Sequence, residues 1–351
     1  PAGDHPFTGR IDRPVGGVKL HLPVLEDTIF ISQARKTWFD VTRDYWDWID
    51  AERGYVPNPT PPSAFGPCWC SWLHLTDINE QKIWDSAVAC RDLGIKTIMI
   101  DAGWFCPDTD VPFPDSPLTD DTFGFGRVSA DRSKFPDMAG LVRRIHEELG
   151  LYVWAWATPR WAFRAVETGP GAVDQRLLDC RIRNEKGEIV PMLCTRHPDS
   201  WEHAARFTAH LLQTYGFDGL KFDCWELDEG MAVCTADHEH AFATMGEGTR
   251  EWARRIFAAM QTVNPDAVVW FNNTTLKPYS NYSVSPNEIY CHPDENWRMS
   301  VVLKTYTHGI VSQLCEGSWH DDESDANVSR HLAILMMGHV PEVQVDVTSL
   351  R

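Results

Sequence analysis

The chain has 351 residues, which allows one to three domains, and its 43% hydrophobic and 23% charged residues are typical of a soluble globular protein. These values exclude disordered, collagen-like and coiled-coil proteins. With 32 Lys and Arg against 50 Asp and Glu, the net charge is -18, which repels phosphate backbones and anionic lipid surfaces. No apolar run approaches the roughly 18 residues of a membrane-spanning helix. We therefore expect neither nucleic acid nor a membrane as a partner.

The ten cysteines are too few for a disulfide scaffold in a chain of this length. Several of them, including Cys90, Cys180 and Cys315, lie in apolar or helical stretches, where a free cysteine behaves as a small hydrophobic residue. This distribution favours a reducing compartment, so we expect a cytoplasmic protein. The chain begins with Pro1 rather than Met, and secretion after loss of a signal peptide stays an open alternative.

Two short motifs bear on metal binding. Cys68 and Cys70 are separated by one residue, not by the two of a zinc or redox motif, and no second pair follows at zinc spacing. His238 and His240 lie at the start of a predicted helix, where a spacing of two does not place both imidazoles on one face. We therefore expect no metal site and no cofactor.

In chain order, residues 1–62 are predicted to form an N-terminal extension with a Trp-rich helix over 34–53 and a Pro-rich linker over 57–62. Residues 63–351 are predicted to form one barrel domain, in which short apolar runs alternate with segments of helical period. The runs typical of strands are 65–72, 96–101, 151–157, 219–223, 267–272, 288–291, 309–315 and 342–347. The helical segments are 79–93, 137–149, 199–215, 239–263, 296–307 and 324–337.

This alternation is typical of βα units around a parallel sheet. Eight strands in one domain indicate an α/β fold of the (β/α)8 TIM-barrel type, which takes about 250 residues. A doubly wound sheet is the alternative, but the glycine-rich first βα turn of that fold does not follow the first or second run. Gly94, Gly150 and Gly216 stand where helices are expected to end. The chain stops at Arg351, directly after the eighth predicted strand.

Active-site residues of such barrels lie at the carboxyl ends of the strands and in the loops that follow. Asp101 and Asp223 end the second and fourth predicted strands, Trp104 and Trp225 follow them, and Trp156 lies near the end of the third. Indole rings offer apolar surface for sugar rings. Two carboxylates that flank a glycosidic bond are the minimum for its hydrolysis. The pattern predicts a site for a neutral sugar, with an oligosaccharide or another glycoside as the partner.

Five short strings, in order along residues 65–348, carry a resemblance to the α-galactosidase and melibiase clan. The clan comprises glycoside hydrolase families 27 and 36, with the family 31 α-glucosidases as more distant relatives. The strings are Cys68-Trp-Cys-Ser-Trp72, Ile100-Asp-Ala-Gly-Trp104, Lys134-Phe-Pro-Asp137, Lys221-Phe-Asp223, and Trp319 followed by Asp322 and Asp325-Ala326.

The resemblance implies an enzyme that hydrolyses an α-glycoside with retention, through a covalent glycosyl intermediate and without a metal or an organic cofactor. It assigns Asp223 as the nucleophile. Lys221 would bind sugar hydroxyls and help hold Asp223 ionised, and Asp101 would bind sugar hydroxyls. The further substrate-binding residues that we predict are Trp104, Trp156, Trp225, Arg298, Trp319 and Asp322.

Two positions depart from the clan's pattern. Ala102 replaces the second acid of the pair after the second strand, which leaves the identity of the sugar and the linkage open. The clan's acid/base, counted from Cys291, falls on Met299. At the expected strand end, next to Arg298, we take Asp294 first and Glu295 second as the acid/base. Asp321 and Asp322 are the fallback, as ligands of hydroxyls or as orienting groups.

Three other functions stay open. A transglycosylase of the same clan would pass the covalent intermediate to a sugar hydroxyl in place of water. A metal-dependent barrel hydrolase would use His292, His320 and acids at the strand ends. A sugar-binding barrel without catalysis would explain Met299. The oligomeric state is not determined by the sequence.

Overall fold

The computed structural model describes residues 11–12, 19–20, 37–55, 58–105, 129–162, 175–223, 233–272, 279–284, 311–316, 340–344 and 346–350. The chain divides into two compact units, Pro1–Glu52 and Arg53–Arg351. In the first unit, strand β1 (Ile11–Asp12) pairs antiparallel with β2 (Lys19–Leu20). The helix α1 (Trp38–Arg53) follows. The predicted domain boundary, between residues 62 and 63, lies after this division.

The second unit is built on a closed ring of parallel strands. In chain order its strands are β3 (Cys68–Cys70), β4 (Thr97–Ile100), β5 (Tyr152–Ala157), β6 (Arg181–Arg183), β7 (Ile189–Leu193), β8 (Gly219–Phe222), β9 (Val268–Phe271), β10 (Tyr282–Val284), β11 (Val311–Glu316) and β12 (Val340–Val343). Apart from β6 and β7, each pairs in parallel with the next, and β12 pairs with β3 to close the barrel. Because the sheet closes on itself, the doubly wound alternative is wrong.

Seven of the eight predicted strands overlap strands of this barrel, and the sixth, predicted at 288–291, lies outside the described residues. The sixth barrel strand is Tyr282–Val284, which pairs with β9 at Trp270 and with β11 from Val311 onward. Its three residues, Tyr-Ser-Val, are too few to give a clear pattern of alternation. The true strand is fixed by the burial of the Tyr282 side chain inside the barrel.

Helices connect the first four barrel strands to the strands that follow them. They are α2 (Glu80–Leu93) after β3, α3 (Met138–Arg144) after β4, α5 (Pro198–Tyr215) after β5 and α6 (Met245–Val263) after β8, with a short α4 (Gln175–Asp179) before β6. The parallel-barrel part of the predicted fold is therefore confirmed. The predicted helices 296–307 and 324–337 lie outside the described residues. Among the helices described here, none has both the length and the apolar character needed to cross a bilayer.

The helix boundaries follow the local sequence. Gly94, Gly150 and Gly216 adopt positive φ angles of 80°, 66° and 75° at helix ends, as predicted. The cap of α2 is Asn79, whose side chain accepts a hydrogen bond from Lys82 N. Helix α6 starts at Met245, behind a capping box formed by Thr244 and Glu247, and not at residue 239.

A hairpin that the sequence did not reveal lies between β5 and α5. Strands β6 and β7 pair antiparallel and have a small core of their own, separate from the main core. The charged Arg-Ile-Arg sequence of β6 hides it from pattern analysis, because only Ile182 points into the core. The side chains of this small core are Trp161, Ile182, Met192, Cys194, Cys234 and Met245.

Aromatic side chains fill the lower half of the barrel. Trp154, Trp270 and Tyr282 contact one another with ring centroids 5.0 to 6.3 Å apart. Gly219, opposite Trp154 in the register, leaves room for the indole, because a Cβ there would lie 2.9 Å from Trp154 Cδ1 and 2.7 Å from Val268 Cβ. This layer forms a solid floor beneath the carboxyl ends of the strands.

The contact between β9 and β10 is completed by a side chain. In the register, β10 meets β9 only at Tyr282 and Trp270. Just before it, the buried side chain of Asn281 accepts a hydrogen bond from Val269 N at 2.8 Å and donates one to Ala267 O at 3.0 Å. The amide of Asn281 thus acts as a strand residue would and extends the ladder.

Asp218, just before β8, joins two parts of the barrel wall. Its Oδ2 lies 2.8 Å from His146 Nε2 and accepts a hydrogen bond from Val153 N at 2.7 Å. The hydrogen bond to Asp218, opposed by partial burial, raises the pKa of His146 above 6.5. A histidine whose pKa is raised by folding stabilises the folded state. This contribution is complete below the unfolded-state pKa and is lost as the pH rises through the folded-state pKa.

We expect His146→Gln to lower the free energy of unfolding by about 1 kcal/mol near pH 5.5, and by less near pH 8.5, because the stabilisation is lost as the pH rises through the folded-state pKa. The effect stays small because the His146 side chain is 32% exposed and water screens the pair. Urea unfolding at both pH values measures it. His210→Gln is the control, since burial lowers the pKa of His210 and its replacement should show the opposite trend. An equal loss at both pH values for His146→Gln would contradict the assignment.

Candidate active site

Polar side chains from four neighbouring strands meet at the carboxyl end of the barrel. Asp101 follows β4, Trp156 lies near the end of β5, and Asn272 follows β9. Lys221 lies in β8 and Asp223 directly follows it. Because side chains alternate along a strand, Lys221 and Asp223 point to the same side, into the barrel. The sequence predicted Asp101, Trp156, Lys221 and Asp223 as site residues, and the structure brings them together.

Lys221 lies between two carboxylates. Its Nζ is 3.2 Å from Asp101 Oδ2 and 3.9 Å from Asp223 Oδ2, and the side chain is 6% exposed. The same Nζ lies 5.0 Å from the centre of the Trp270 ring, in the aromatic floor. A buried ammonium group is stable only when it is paired and hydrogen-bonded. The two acids therefore hold Lys221 in place. In turn, the positive charge of Lys221 offsets the repulsion between the two carboxylates.

Both oxygens of Asp223 accept a hydrogen bond. Trp156 Nε1 donates to Oδ2 at 3.2 Å, and Asn272 Nδ2 donates to Oδ1 at 3.0 Å. The side chain is 23% exposed, whereas its neighbours Asp101 and Lys221 are almost completely buried. Asp223 is thus a carboxylate in a fixed orientation that a molecule above the barrel can reach. This arrangement suits a nucleophile.

Asp101, the second carboxylate beside Lys221, is buried. Its Oδ2 accepts a hydrogen bond from Cys70 Sγ at 3.4 Å, and its Oδ1 accepts one from Ala102 N at 2.8 Å. Burial, together with the charges of Glu342 and Asp101, raises the pKa of the Cys70 thiol. Cys70 is therefore a neutral thiol that donates to Asp101.

Two tryptophans differ in their roles from the prediction. Trp104 was predicted to line the pocket, but this prediction is wrong: its ring is fully buried and packs against Phe105, Tyr215 and Phe217. Its Nε1 donates to Trp156 O at 3.1 Å, so it supports the end of β5. Trp156 is 2% exposed, and its polar edge orients Asp223.

Sequence reasoning gave no role to three residues of the site. Asn272 binds Asp223, Cys70 binds Asp101, and Glu342 is a buried carboxylate on β12 that accepts a hydrogen bond from Gln344 at 2.6 Å. Each of the three has a feature in the sequence that could have pointed to it. Asn272 is a polar residue directly after four apolar ones, Cys70 ends a strand, and Glu342 stands between apolar residues within a strand.

Six predicted site residues lie outside the described residues. The corrected sixth strand, which ends at Val284, changes where two of them stand in the chain. Asp294 and Glu295 come ten and eleven residues after that strand and not directly at its end. The six residues are Trp225, Asp294, Glu295, Arg298, Trp319 and Asp322.

Comparisons with known proteins agree with this architecture. No family model matches the sequence, and no curated protein matches it. Among solved structures, a GH36 α-galactosidase from Geobacillus stearothermophilus is similar, with a TM-score of 0.58 and 16% identity over 83% of this chain and 41% of that one. A variant from the same organism, in complex with stachyose, has a TM-score of 0.58 and 15% identity over 80% of this chain and 40% of that one.

An α-galactosidase from Thermus thermophilus, in complex with p-nitrophenyl α-D-galactopyranoside, has a TM-score of 0.53 and 15% identity over 88% of this chain and 62% of that one. This chain therefore spans about two fifths of the Geobacillus enzymes and three fifths of the Thermus enzyme. At these identities the likeness shows the fold. The resemblance seen in the sequence is thus confirmed at that level: the chain has the barrel fold of GH36 α-galactosidases.

Proposed function

We propose that the protein is a retaining α-glycoside hydrolase with a complete (β/α)8 barrel and with Asp223 as its nucleophile. The observation that carries the proposal is the Asp223 carboxylate, held by Trp156 and Asn272 and placed 3.9 Å from the Lys221 ammonium. Two carboxylates and a cation at the mouth of a barrel suit a sugar, whose hydroxyl groups both donate and accept hydrogen bonds.

The chemistry has two steps. In the first, an Asp223 oxygen bonds to the anomeric carbon, the bond from that carbon to the leaving oxygen breaks, and an acid gives this oxygen a proton. In the second, the same acid residue, now a base, takes a proton from water. The water oxygen bonds to the anomeric carbon, and Asp223 leaves as a carboxylate. Trp156 and Asn272 keep Asp223 oriented through both steps.

The acid/base is proposed among the acids that follow β10 and β11. Asp294 and Glu295 stay the first two candidates, and Asp322 joins them, because it comes six residues after β11 ends. Around the ring, β10 and β11 lie two and three strands from β8, so an acid that follows either strand would approach the sugar from a different side than Asp223 does.

The substrate is proposed to be an α-galactoside or a close relative. The Geobacillus and Thermus structures hold stachyose and an aryl α-galactoside, which makes α-galactosides the first compounds to test. Ala102, with its buried methyl group, stands where the clan has a second acid. One hydroxyl contact is therefore absent, and related sugars belong in the same test.

We expect a covalent adduct on Asp223 when the protein reacts with an activated α-fluorosugar. Fluorine next to the reacting centre destabilises an oxocarbenium-like transition state, and a good leaving group forms the intermediate without help from the acid. Intact-mass measurement with galacto, gluco, N-acetylgalacto and arabino forms would identify the sugar. The adduct should be absent in Asp223→Asn and present in Asp266→Asn, an exposed acid before β9. A folded protein that forms no adduct with any of the four, yet binds them, would be a sugar-binding barrel without this catalysis.

A further inference from the structure

A cluster of four potential metal ligands lies beside the hairpin of β6 and β7, apart from Asp223 and Lys221. Cys194 follows β7, and Cys234, His238 and His240 lie in the segment that leads into α6. One ligand atom from each of the four lies within 4.8 Å of all the others. Two thiols and two imidazoles at this distance are the donor set of a structural zinc site.

We propose that Cys194, Cys234, His238 and His240 bind one Zn²⁺ ion in tetrahedral geometry. The contact between Cys234 Sγ and His238 Nε2, at 3.6 Å, already fits. With Zn–S of about 2.3 Å and Zn–N of about 2.0 Å, a tetrahedral site separates these two atoms by about 3.5 Å. Sulfur and imidazole donors select zinc over magnesium or calcium, which prefer oxygen.

The orientation of His238 supports the assignment. Its other ring nitrogen, Nδ1, lies 3.0 Å from the backbone oxygen of Asp179. A carbonyl oxygen accepts only, so Nδ1 must carry the proton, and the Nε2 lone pair then faces Cys234. Metal-binding histidines in proteins are commonly held in this way, with the second nitrogen donating to a carbonyl or carboxylate.

His240 supplies an independent sign. Its Nε2 is buried and has no hydrogen-bond partner among the residues that the structure describes, a costly state for a polar atom. The sequence-based argument against this pair is wrong because helix α6 begins only at Met245. Residues 238 and 240 lie in a non-helical segment, and their ring centroids are 4.7 Å apart.

The cysteines suit the same purpose. Cysteine binds zinc as the thiolate, and the ligand atoms of Cys194 and Cys234 lie within 4.8 Å of each other and of both imidazoles. Both cysteines are buried, in the small core of the hairpin, so a bound ion would be shielded from water.

A second group of similar residues lies next to this one and is already engaged. His197 caps helix α5 by accepting a hydrogen bond from Asp199 N at 3.1 Å. Asp199 forms a salt bridge with Arg176 at 3.1 Å. The Cys180 thiol donates to Arg176 O at 3.1 Å. These side chains have structural roles, so we restrict the proposed site to the other four.

The ion would tie together two loops on the face of the barrel that carries Asp223. Cys194 belongs to the connection after β5, and the other three ligands belong to the connection after β8. Four protein ligands leave no open position, which is typical of a structural rather than a catalytic zinc ion. A small core such as that of the hairpin gains stability from a metal. Cys234 comes eleven residues after Asp223 in the chain, so the ion would hold a point on the same connection, between β8 and α6, that begins at the proposed nucleophile.

The test is zinc content of the full chain, purified under reducing conditions. We expect about one Zn²⁺ per chain by elemental analysis, and uptake of Co²⁺ by the metal-free protein with the absorption bands of tetrahedral thiolate coordination. Cys234→Ser and His238→Ala should each weaken Zn²⁺ binding more than about 100-fold in competition with a chromophoric chelator. Cys90→Ser and His210→Ala, which change a cysteine and a histidine far from the cluster in sequence, should bind as the wild type does.

A second readout does not depend on folded variants. Chelation of Zn²⁺ from the wild-type protein should expose the 233–244 segment to a protease, and added Zn²⁺ should restore protection. Wild-type protein that takes up neither Zn²⁺ nor Co²⁺ after reduction would overturn the proposal. So would a Cys194–Cys234 disulfide, seen as the loss of two hydrogens, if the reduced protein still bound no metal. Zinc content and the fluorosugar adduct on Asp223 are measured separately, so a failure of the zinc proposal can be told from a failure of the proposed enzymatic function.

Discussion

Asp223→Ala is expected to lower kcat on an aryl α-glycoside by about 10⁴-fold or more, because it removes the atom that bonds to the anomeric carbon. The fold should persist, since the Asp223 side chain is partly exposed and is not needed to pack the core. Its loss leaves the donors of Trp156 and Asn272 with water as their partner. Steady-state kinetics beside the circular dichroism spectrum measures both effects.

Added azide provides a second test of the same prediction, in which a new product is expected. In Asp223→Ala the space of the carboxylate can hold an azide ion, which would attack the anomeric carbon from the face that Asp223 uses. The product of an α-glycoside would then be a β-glycosyl azide, and its configuration can be read by NMR. Asp266→Asn should keep wild-type rates and form no azide product. Undiminished turnover in Asp223→Ala would end the role of Asp223 as the nucleophile.

Lys221→Met should lower both stability and activity. The substitution leaves the buried Asp101 carboxylate without its cation, and breaking a buried pair from one side costs about 3–5 kcal/mol. The rate should fall by about 100-fold or more, since the charge near Asp223 is also lost. Urea unfolding and kcat/KM on the same preparation measure the two losses.

A double variant separates the two effects. Asp101→Asn combined with Lys221→Met removes both charges of the buried pair, so much of the lost stability should return while the activity stays low. Lys82→Met is the control for removing a lysine from an exposed pair, with Asp77 86% exposed, and should cost far less stability than Lys221→Met. If Lys221→Met costs no more than Lys82→Met, the bridge between the acids is not a stabilising element.

The periodicity of the sequence was enough to predict the barrel, because fully buried strands such as Thr97–Ile100 and Val268–Phe271 read as apolar runs between polar helices. Periodicity did not reveal short strands, nor strands whose residue types give no indication of the strands they pair with. The strand Tyr282–Val284 is defined by its pairing, and the strand Arg181–Arg183 by one buried side chain. Neither property is visible in a local pattern.

The site was predictable where a residue stands at a strand end. Asp101, Lys221 and Asp223 were found in this way, with help from the resemblance. The hydrogen bonds that orient them were not, because Trp156 and Asn272 reach Asp223 from strands that are 67 and 49 residues away in the chain. Trp104 was misjudged for the same reason: a loop position does not show which side chains will surround it. Cys194 lies forty residues before Cys234, far outside the spacing of zinc motifs.

The contact between β9 and β10, which the amide of Asn281 completes, also divides the proposed catalytic residues along the chain. Asp101, Trp156, Lys221, Asp223 and Asn272 all lie before it in the chain, and every candidate for the acid/base lies after it. Separation of β10 from β9 would leave Asp223 and its hydrogen-bond donors assembled, while the part of the chain that carries the acid/base candidates moves away. A protein in that state would still react with sugars whose leaving group departs unaided, and would fail on natural glycosides. The ratio of the rate on sugars with an activated leaving group to the rate on natural glycosides would therefore report whether β9 and β10 stay paired.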